Sequence, residues 1–464
     1  MIHVSRRVER LACCRRLLST QAKNGSFVDV VIVGGGVVGA AVARQLTRTV
    51  PSLSVALVEA GEGPREKLSG TPNPRSYALS PASLDVLGLS ENHERLGFYD
   101  SMQVWETGHP ASLVFSSDDL DTNQSYLGAV TEDAFLLDHL WNDLASSSCQ
   151  IRTSSMIDRI DCDTTNATVH LSSGQSIQCR LLVGADGARS TVREQLRIQT
   201  EGWKYRDQEA LTFTVELSSP HEGRAFQRFL ETGPIALLPT FSERHAIVVW
   251  STTPELVGVY KNSPRIVDCL NEVLQRGPDQ FGAGLSSSVP GPIGNLLYGM
   301  EKVVDTLHYG PAMFSQQNNT PFSMPPYIKS LASKQFSFPI SCQQAKRYTL
   351  GCCALVGDAA HTVHPMAGQG LNLGLLDAVD LVRVVKGATL AGMTPATFLG
   401  DYEISRREQV STTISAIHAL YSIFGEQRPW AKHMKSLGIN AIQNIAPLRR
   451  KLIQAACEGV AYKE

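Results

Sequence analysis

Val28-Asp29-Val30-Val31-Ile32-Val33 is an apolar run that leads straight into Gly34-Gly35-Gly36-Val37-Val38-Gly39, and a helix-compatible stretch follows from Ala40 to Thr47. The run reads as a strand, so the order is strand, glycine turn, helix. Each glycine has a separate task in that order. Gly34 allows the tight turn, Gly36 admits a pyrophosphate to the backbone, and Gly39 lets the helix pack on the strand. Alone the glycine pattern is weak, but the strand–turn–helix context is the one a dinucleotide-binding α/β layer requires. Val55-Ala56-Leu57-Val58 supplies a second apolar strand, and Glu59 closes it twenty residues beyond Gly39. A carboxylate there can grip an adenosine ribose, or it can be a solvated strand end.

A longer pattern lies towards the other end of the chain. Cys353-Ala354-Leu355-Val356 fits a short buried strand, Gly357-Asp358 makes an acidic turn, and residues 371–385 have helical apolar spacing. Pro365 suits the start of that helix. A helix start exposes unpaired N–H groups and a positive dipole end. Glycines at 368 and 370 let such a backbone approach a flat, partly anionic ligand. Asp358 can accept hydrogen bonds from sugar-type hydroxyls. In mid-chain, Asp186-Gly187 after Leu181-Leu182-Val183-Gly184-Ala185 is, taken alone, a strong turn dipeptide. Arg189 and Arg193 could as easily be surface charges there, and Arg75-Ser76-Tyr77-Ala78-Leu79-Ser80 reads by itself as a polar loop entering a helix.

Together these stretches carry a family resemblance. Residues 357–372 resemble the second FAD signature of the aromatic-ring flavin hydroxylases, the group that contains para-hydroxybenzoate hydroxylase. Residues 367–374 look most like the ubiquinone-biosynthesis branch. Residues 181–193 are similar to the group's Asp-Gly motif, and residues 75–80 to a segment whose arginine lies beside the flavin. The resemblance spans residues 27–460 except 277–334. It implies an α/β fold: a Rossmann-like FAD-binding domain, an inserted sheet-rich substrate domain and C-terminal helices. It also implies FAD bound by Gly34, Gly36, Gly39, Glu59, Arg75, Asp186, Asp358, Pro365, Gly368, Gly370, Leu371 and Asn372. The reactive edge of the flavin would lie along Gly368, Gln369, Gly370 and Asn372.

The implied reaction is O2-dependent hydroxylation of a polyprenylated 4-hydroxybenzoate at ring position C5, through a flavin C4a-hydroperoxide. There is one dinucleotide fingerprint, so a second Rossmann domain for NADPH is not expected. NADPH would dock transiently, or ferredoxin with its reductase would reduce the flavin; the latter is the preferred donor. Association with the ubiquinone biosynthetic complex and peripheral contact with the matrix side of the mitochondrial inner membrane are further implications. A prenyl (geranylgeranyl) reductase and a non-catalytic flavin-binding subunit of that complex are the rival readings.

Composition adds boundaries. The 42 basic and 44 acidic side chains leave a net charge of −2, with no basic excess for nucleic acid. Apolar runs are broken by charges well short of a membrane span. Arg6, Arg7, Arg10, Arg15, Arg16 and Lys23 face Glu9 alone, so residues 1–24 read as a mitochondrial transit peptide. Ten cysteines show no C-x-x-C spacing, which argues against zinc and thioredoxin-like chemistry. His361 and His364 beside Asp358 are the one pair worth weighing as metal ligands, but no third ligand is in view, and flavin-site structure is the better account. The expected organisation is a discontinuous FAD-binding domain over 27–204 and 338–390. A substrate domain over 205–337 carries a Gly/Pro/Ser-rich insertion at 277–334, and 391–464 is helical. The segment 439–460 is amphipathic and either packs on the domain or meets a membrane or partner.

Overall fold

The computed structural model describes residues 25–277 and 322–425, apart from 65, 90–92, 107–111, 121–124 and 366–367, and isolated helical positions between 442 and 453. The proposed transit peptide, most of the 277–334 insertion and most of 439–460 lie outside the described residues.

The first sheet grows from the N-terminal apolar run. Gly25–Val33 pairs in parallel with Val55–Val58 on one side and with Ser176–Gly184 on the other. Gln150–Arg152 and Cys353–Leu355 extend it in parallel at its two flanks. Val30, Val31 and Ile32 are fully buried, as strands covered on both faces require. The helix Val37–Thr49 covers one face through Ala40, Val42, Ala43 and Leu46. The helices Asp133–Ala145 and Gly370–Leu390 pack beside it. Ile157–Cys162 and Ala167–Leu171 add an antiparallel hairpin to Ser176–Gly184.

The second sheet is mainly antiparallel and is built around the long strand Thr200–Leu217, which pairs with His245–Thr252 and Phe336–Ala345. The alternation in residues 210–217 predicts one buried face. Both faces are buried. Leu211, Phe213 and Val215 form a core with Ile266, Leu270 and Leu274 of the helix Ile266–Leu274. On the other face, Thr214 Oγ1 donates to the Pro72 carbonyl at 2.8 Å, and Thr212 Oγ1 to that of Pro74 at 3.4 Å. This sheet is therefore stitched to the segment that leads into Ser76–Leu79. His361–Thr362 joins the same sheet by pairing with Gln343 and Gln344.

The sheet also recruits strands from unexpected places. Ser101–Glu106 and Ser112–Ser116 fall within 27–204, yet Ser101–Glu106 pairs in parallel with Arg224–Leu230 of the second sheet. Arg75-Ser76-Tyr77-Ala78-Leu79-Ser80 contains the strand Ser76–Leu79, paired with Gly128–Glu132, rather than a bare polar loop. Ser80 then caps the short helix Pro81–Leu87, its hydroxyl accepting from the Ser83 amide.

Candidate active site

Gly25–Val33, Val55–Val58, Ser176–Gly184 and Cys353–Leu355 run parallel, so the turns that follow them leave the sheet along one edge. From the central strand Gly25–Val33 the sheet extends to Val55–Val58 on one side and to Ser176–Gly184 on the other. Loops diverge at such a switch point and leave a crevice between them. The turns after residues 33, 58, 184 and 355, which carry motifs singled out in the sequence, leave the sheet at that edge.

Gly34 has a φ of +105°, and a Cβ there would lie 2.4 Å from the Ala185 carbonyl oxygen. At Gly39 a Cβ would lie 2.0 Å from the Gly34 carbonyl oxygen, so helix and turn touch through bare backbone. Gly36 is different: a Cβ would meet nothing within 4 Å. It is also the N-cap of Val37–Thr49, with no side-chain cap and no acidic residue in the first turn. The first intrahelical bond runs from the Ala40 amide to the Gly36 carbonyl at 2.9 Å, so a helix dipole end faces open space. These residues suit a pyrophosphate.

Glu59 anchors the same turn. Its Oε2 accepts from the Gly35 amide at 2.6 Å and its Oε1 from the Gly61 amide at 2.7 Å. Trp141 Nε1 donates to the Gly35 carbonyl at 2.9 Å, fixing that peptide from its other side. Sequence reasoning missed Trp141. Its only local signal is an indole N–H on an otherwise apolar helix face, which needs a partner when buried.

Asp186 begins the neighbouring turn and spends both oxygens on it. Oδ1 accepts from the Ser190 hydroxyl at 2.5 Å and Oδ2 from the Val192 amide at 3.1 Å. The carboxylate thus shapes the crevice wall. Arg193 is not a surface charge: it donates to the Ala188 and Ala359 carbonyls, each at 2.7 Å, and ties this turn to the one bearing Asp358.

Asp358 is exposed to solvent although protein crowds around it. That crowding pushes its carboxyl pKa up; His361 opposes the shift and the Asp377 charge adds to it. Asp377 is the hidden support of this turn. Its Oδ2 accepts from the Gly357 amide at 2.8 Å and lies 2.7 Å from His361 Nε2, and its Oδ1 accepts from Arg406 Nε at 2.7 Å. Burial alone would raise this carboxyl, but His361 and Arg406 outweigh it and hold it below the usual range. The two histidines weighed as metal ligands have separate partners: His361 meets Asp377, and His364 Nε2 lies 3.0 Å from Gln208 Oε1. Burial lowers His364 to a pKa of about 4. Among the described residues no group of three or more His, Cys, Asp or Glu side chains could hold a metal ion.

The long helix starts later than Pro365. It spans Gly370–Leu390 with Gln369 as N-cap, and Pro365 lies in a 3-10 turn before it, its carbonyl accepting from the Gly368 amide at 3.0 Å. The reason is the left-handed residue Gly368, at φ +60°, which breaks any helix begun at Pro365. The first intrahelical bond is Leu373 N–H to Gln369 at 2.9 Å, so the amides of Gly370, Leu371 and Asn372 lie at an uncapped dipole end. Residues 366–367 of the motif lie outside the described residues. The Asn372 side chain serves the fold: its Oδ1 accepts from the Ser80 amide, and its Nδ2 donates to the Ala78 carbonyl, both at 3.0 Å. Arg75 is largely exposed, and its Nε lies 3.1 Å from Asp133 Oδ2. Asp133 also accepts from the Tyr77 hydroxyl at 3.1 Å.

This arrangement has relatives. The FAD binding domain family model matches residues 27–261 and 326–416. The mitochondrial ubiquinone biosynthesis monooxygenase COQ6 of Rattus norvegicus is 29% identical, with 96% of this chain and 94% of that protein covered. Its Drosophila melanogaster counterpart is 30% identical over 94% of this chain and 91% of that protein. Among solved structures, p-nitrophenol 4-monooxygenase PnpA of Pseudomonas putida superposes with a TM-score of 0.67 at 20% identity, covering 95% of this chain and 100% of that one. Two uncapped helix ends, the carboxylates beside them and this near full-length likeness converge: the chain is an FAD-dependent monooxygenase and belongs to the FAD binding domain family, alongside the mitochondrial ubiquinone biosynthesis monooxygenases.

Proposed function

We propose that this chain hydroxylates the aromatic ring of a polyprenylated 4-hydroxybenzoate at C5, as a step of ubiquinone biosynthesis in mitochondria. The observation that carries the reading is the crevice itself. The Gly36 and Gly370 helix ends, Glu59 and Asp358 leave one sheet edge together, in a chain whose relatives are named for that pathway. Bound FAD supplies the oxygen-activating chemistry. The protein positions it and excludes water. The Gly36 helix end takes the pyrophosphate. Glu59, already fixed by Gly35 and Gly61, keeps lone pairs for ribose hydroxyls. Asp358 accepts from the ribityl hydroxyls, and the amides of residues 370–372 hold negative charge at the flavin's pyrimidine edge.

Arg75 and Asp186 act at the margins of the site, through Asp133 and the 186–192 turn. The second sheet forms the substrate side. Ferredoxin with its reductase is the preferred electron donor, and contact with the biosynthetic complex and the inner-membrane surface belongs to the same reading. Among the described residues no helix is long and apolar enough to cross a membrane.

The deciding experiment incubates the purified protein with ferredoxin, its reductase, O2 and a prenylated 4-hydroxybenzoate analogue, then analyses products by mass spectrometry. A gain of one oxygen on the ring supports the proposal. Saturation of the prenyl tail, or no product from a fully flavinated chain, refutes it.

Two variants probe the flavin bed. Asp358→Ala is expected to weaken FAD binding by about 1.5–3 kcal/mol through loss of a charge-assisted hydrogen bond. Gly370→Ala is expected to be milder, because among the described residues its methyl would meet only Val363 Cγ2, at the ordinary contact distance of 3.7 Å, and the chain keeps its fold. It should lower product formed per electron delivered and raise hydrogen peroxide release. Wild-type FAD affinity and wild-type coupling in both variants would remove Asp358 and Gly370 from the flavin site.

A further inference from the structure

Cys162 ends the strand Ile157–Cys162, and Cys352 immediately precedes Cys353–Leu355. They stand 190 positions apart, yet their Sγ atoms are 3.6 Å apart. The backbone enforces this contact. The Cys352 amide donates to the Asp163 carbonyl at 2.9 Å. Gly351, at φ +59°, passes so close that a Cβ would lie 2.2 Å from that same carbonyl oxygen. Asp163 is fixed in turn, its Oδ1 accepting from the Thr165 amide at 2.6 Å and the Asn166 amide at 2.9 Å. The thiols therefore meet because two clamped chain segments meet. They differ in access: Cys162 is half-buried and Cys352 is buried.

We propose that Cys162 and Cys352 form a redox-active dithiol, which a peroxide converts into an intramolecular disulfide. The Cys162 thiolate attacks one oxygen of hydrogen peroxide. A sulfur–oxygen bond forms, the oxygen–oxygen bond breaks, and the leaving hydroxide departs as water after protonation. Cys162 is then a sulfenic acid. The Cys352 sulfur attacks the Cys162 sulfur, a sulfur–sulfur bond forms, and the sulfenic oxygen leaves as a second water with the Cys352 proton. The thiol pair loses two electrons and the peroxide gains them.

The two sulfurs, 3.6 Å apart, are already in van der Waals contact, and the disulfide brings them to ~2.05 Å while the Cys352 amide stays bonded to the residue after Cys162. The hydrogen bond shared with Cys352 holds the Cys162 thiol below its usual range and favours the attacking thiolate; the same bond pushes Cys352 up. The more accessible sulfur is the one a peroxide reaches first, and the shielded one lies beside it to resolve it. The bond would fasten the start of Cys353–Leu355, the strand that leads into the Asp358 turn.

The test uses the full-length flavoprotein. It is treated with hydrogen peroxide, its remaining thiols are alkylated, and a non-reducing digest is read by mass spectrometry. The expected result is a peptide pair joining Cys162 to Cys352, with a loss of two thiols per chain, reversed by dithiothreitol. In Cys352→Ser the pair is lost and Cys162 is captured by dimedone as the sulfenic acid. The proposal is overturned if wild-type Cys162 passes to the sulfinic acid without forming the pair. It is equally overturned if both residues stay alkylatable while other cysteines oxidise. The wild-type digest decides even if the variant does not fold.

Discussion

Gly36→Val is expected to give a folded, colourless protein. A Cβ at this position has no neighbour within 4 Å among the described residues. It would instead fill the space before the uncapped N-terminus of Val37–Thr49, where the pyrophosphate is proposed to lie. Displacing the diphosphate from its amide donors forfeits charge-assisted hydrogen bonds of about 1.5–3 kcal/mol each, so FAD affinity should fall at least ~100-fold. Gly39→Ala is the contrasting control. Its Cβ would lie 2.0 Å from the Gly34 carbonyl oxygen, so helix and turn must separate and stability falls with flavin content. The measurements are flavin absorbance per chain and circular dichroism on each variant. A folded Gly36→Val protein carrying a full complement of FAD would show that the pyrophosphate lies elsewhere.

The two glycines also show why part of this site was legible in the sequence. Strand, turn and helix between residues 28 and 47 are dictated by near neighbours, so apolar runs and glycine spacing suffice to locate them. The same holds for Cys353–Leu355 and the Asp358 turn. What escaped the sequence is long-range. Asn372 clamps Ser80, 292 positions away, and Trp141 holds Gly35, 106 positions away. Nothing in the local pattern distinguishes Asn372's clamping side chain from one aimed at a ligand. Ser101–Glu106 shows the same limit: it pairs with Arg224–Leu230, more than a hundred positions along the chain, and a local pattern does not say which sheet receives a strand. Pro365 illustrates a local conflict. Proline favours a helix start, but the left-handed glycine three residues later prevails and moves the start to Gly370.

Asp377 is the residue whose loss should cost the fold most. It is fully buried, with Arg406 at 2.7 Å on one oxygen, and with His361 and the Gly357 amide on the other. Asp377→Ala leaves the Arg406 guanidinium buried without its carboxylate, a situation that costs about 3–5 kcal/mol. Replacing the pair together, Asp377→Leu with Arg406→Met, removes both charges and should cost less, because no charge is then left uncompensated and the remaining loss is that of the acceptor for the Gly357 amide and His361. The effect has a pH signature. The Asp377 carboxyl is held below its usual range, so its contribution is complete above the unfolded-state pKa of about 3.9 and is lost as pH falls through the lower folded value. Urea titrations of wild type and Asp377→Ala should therefore differ fully at neutral pH and converge only in acid below that unfolded value. A gap that persists unchanged through that range would mean that packing, and not the buried charge, is what the alanine removes. Because the same carboxylate holds the Gly357 amide, the variant should also release FAD more readily. That loss should be larger than for the double replacement only if the Arg406 charge, and not the missing Gly357 contact, disorders the Asp358 turn.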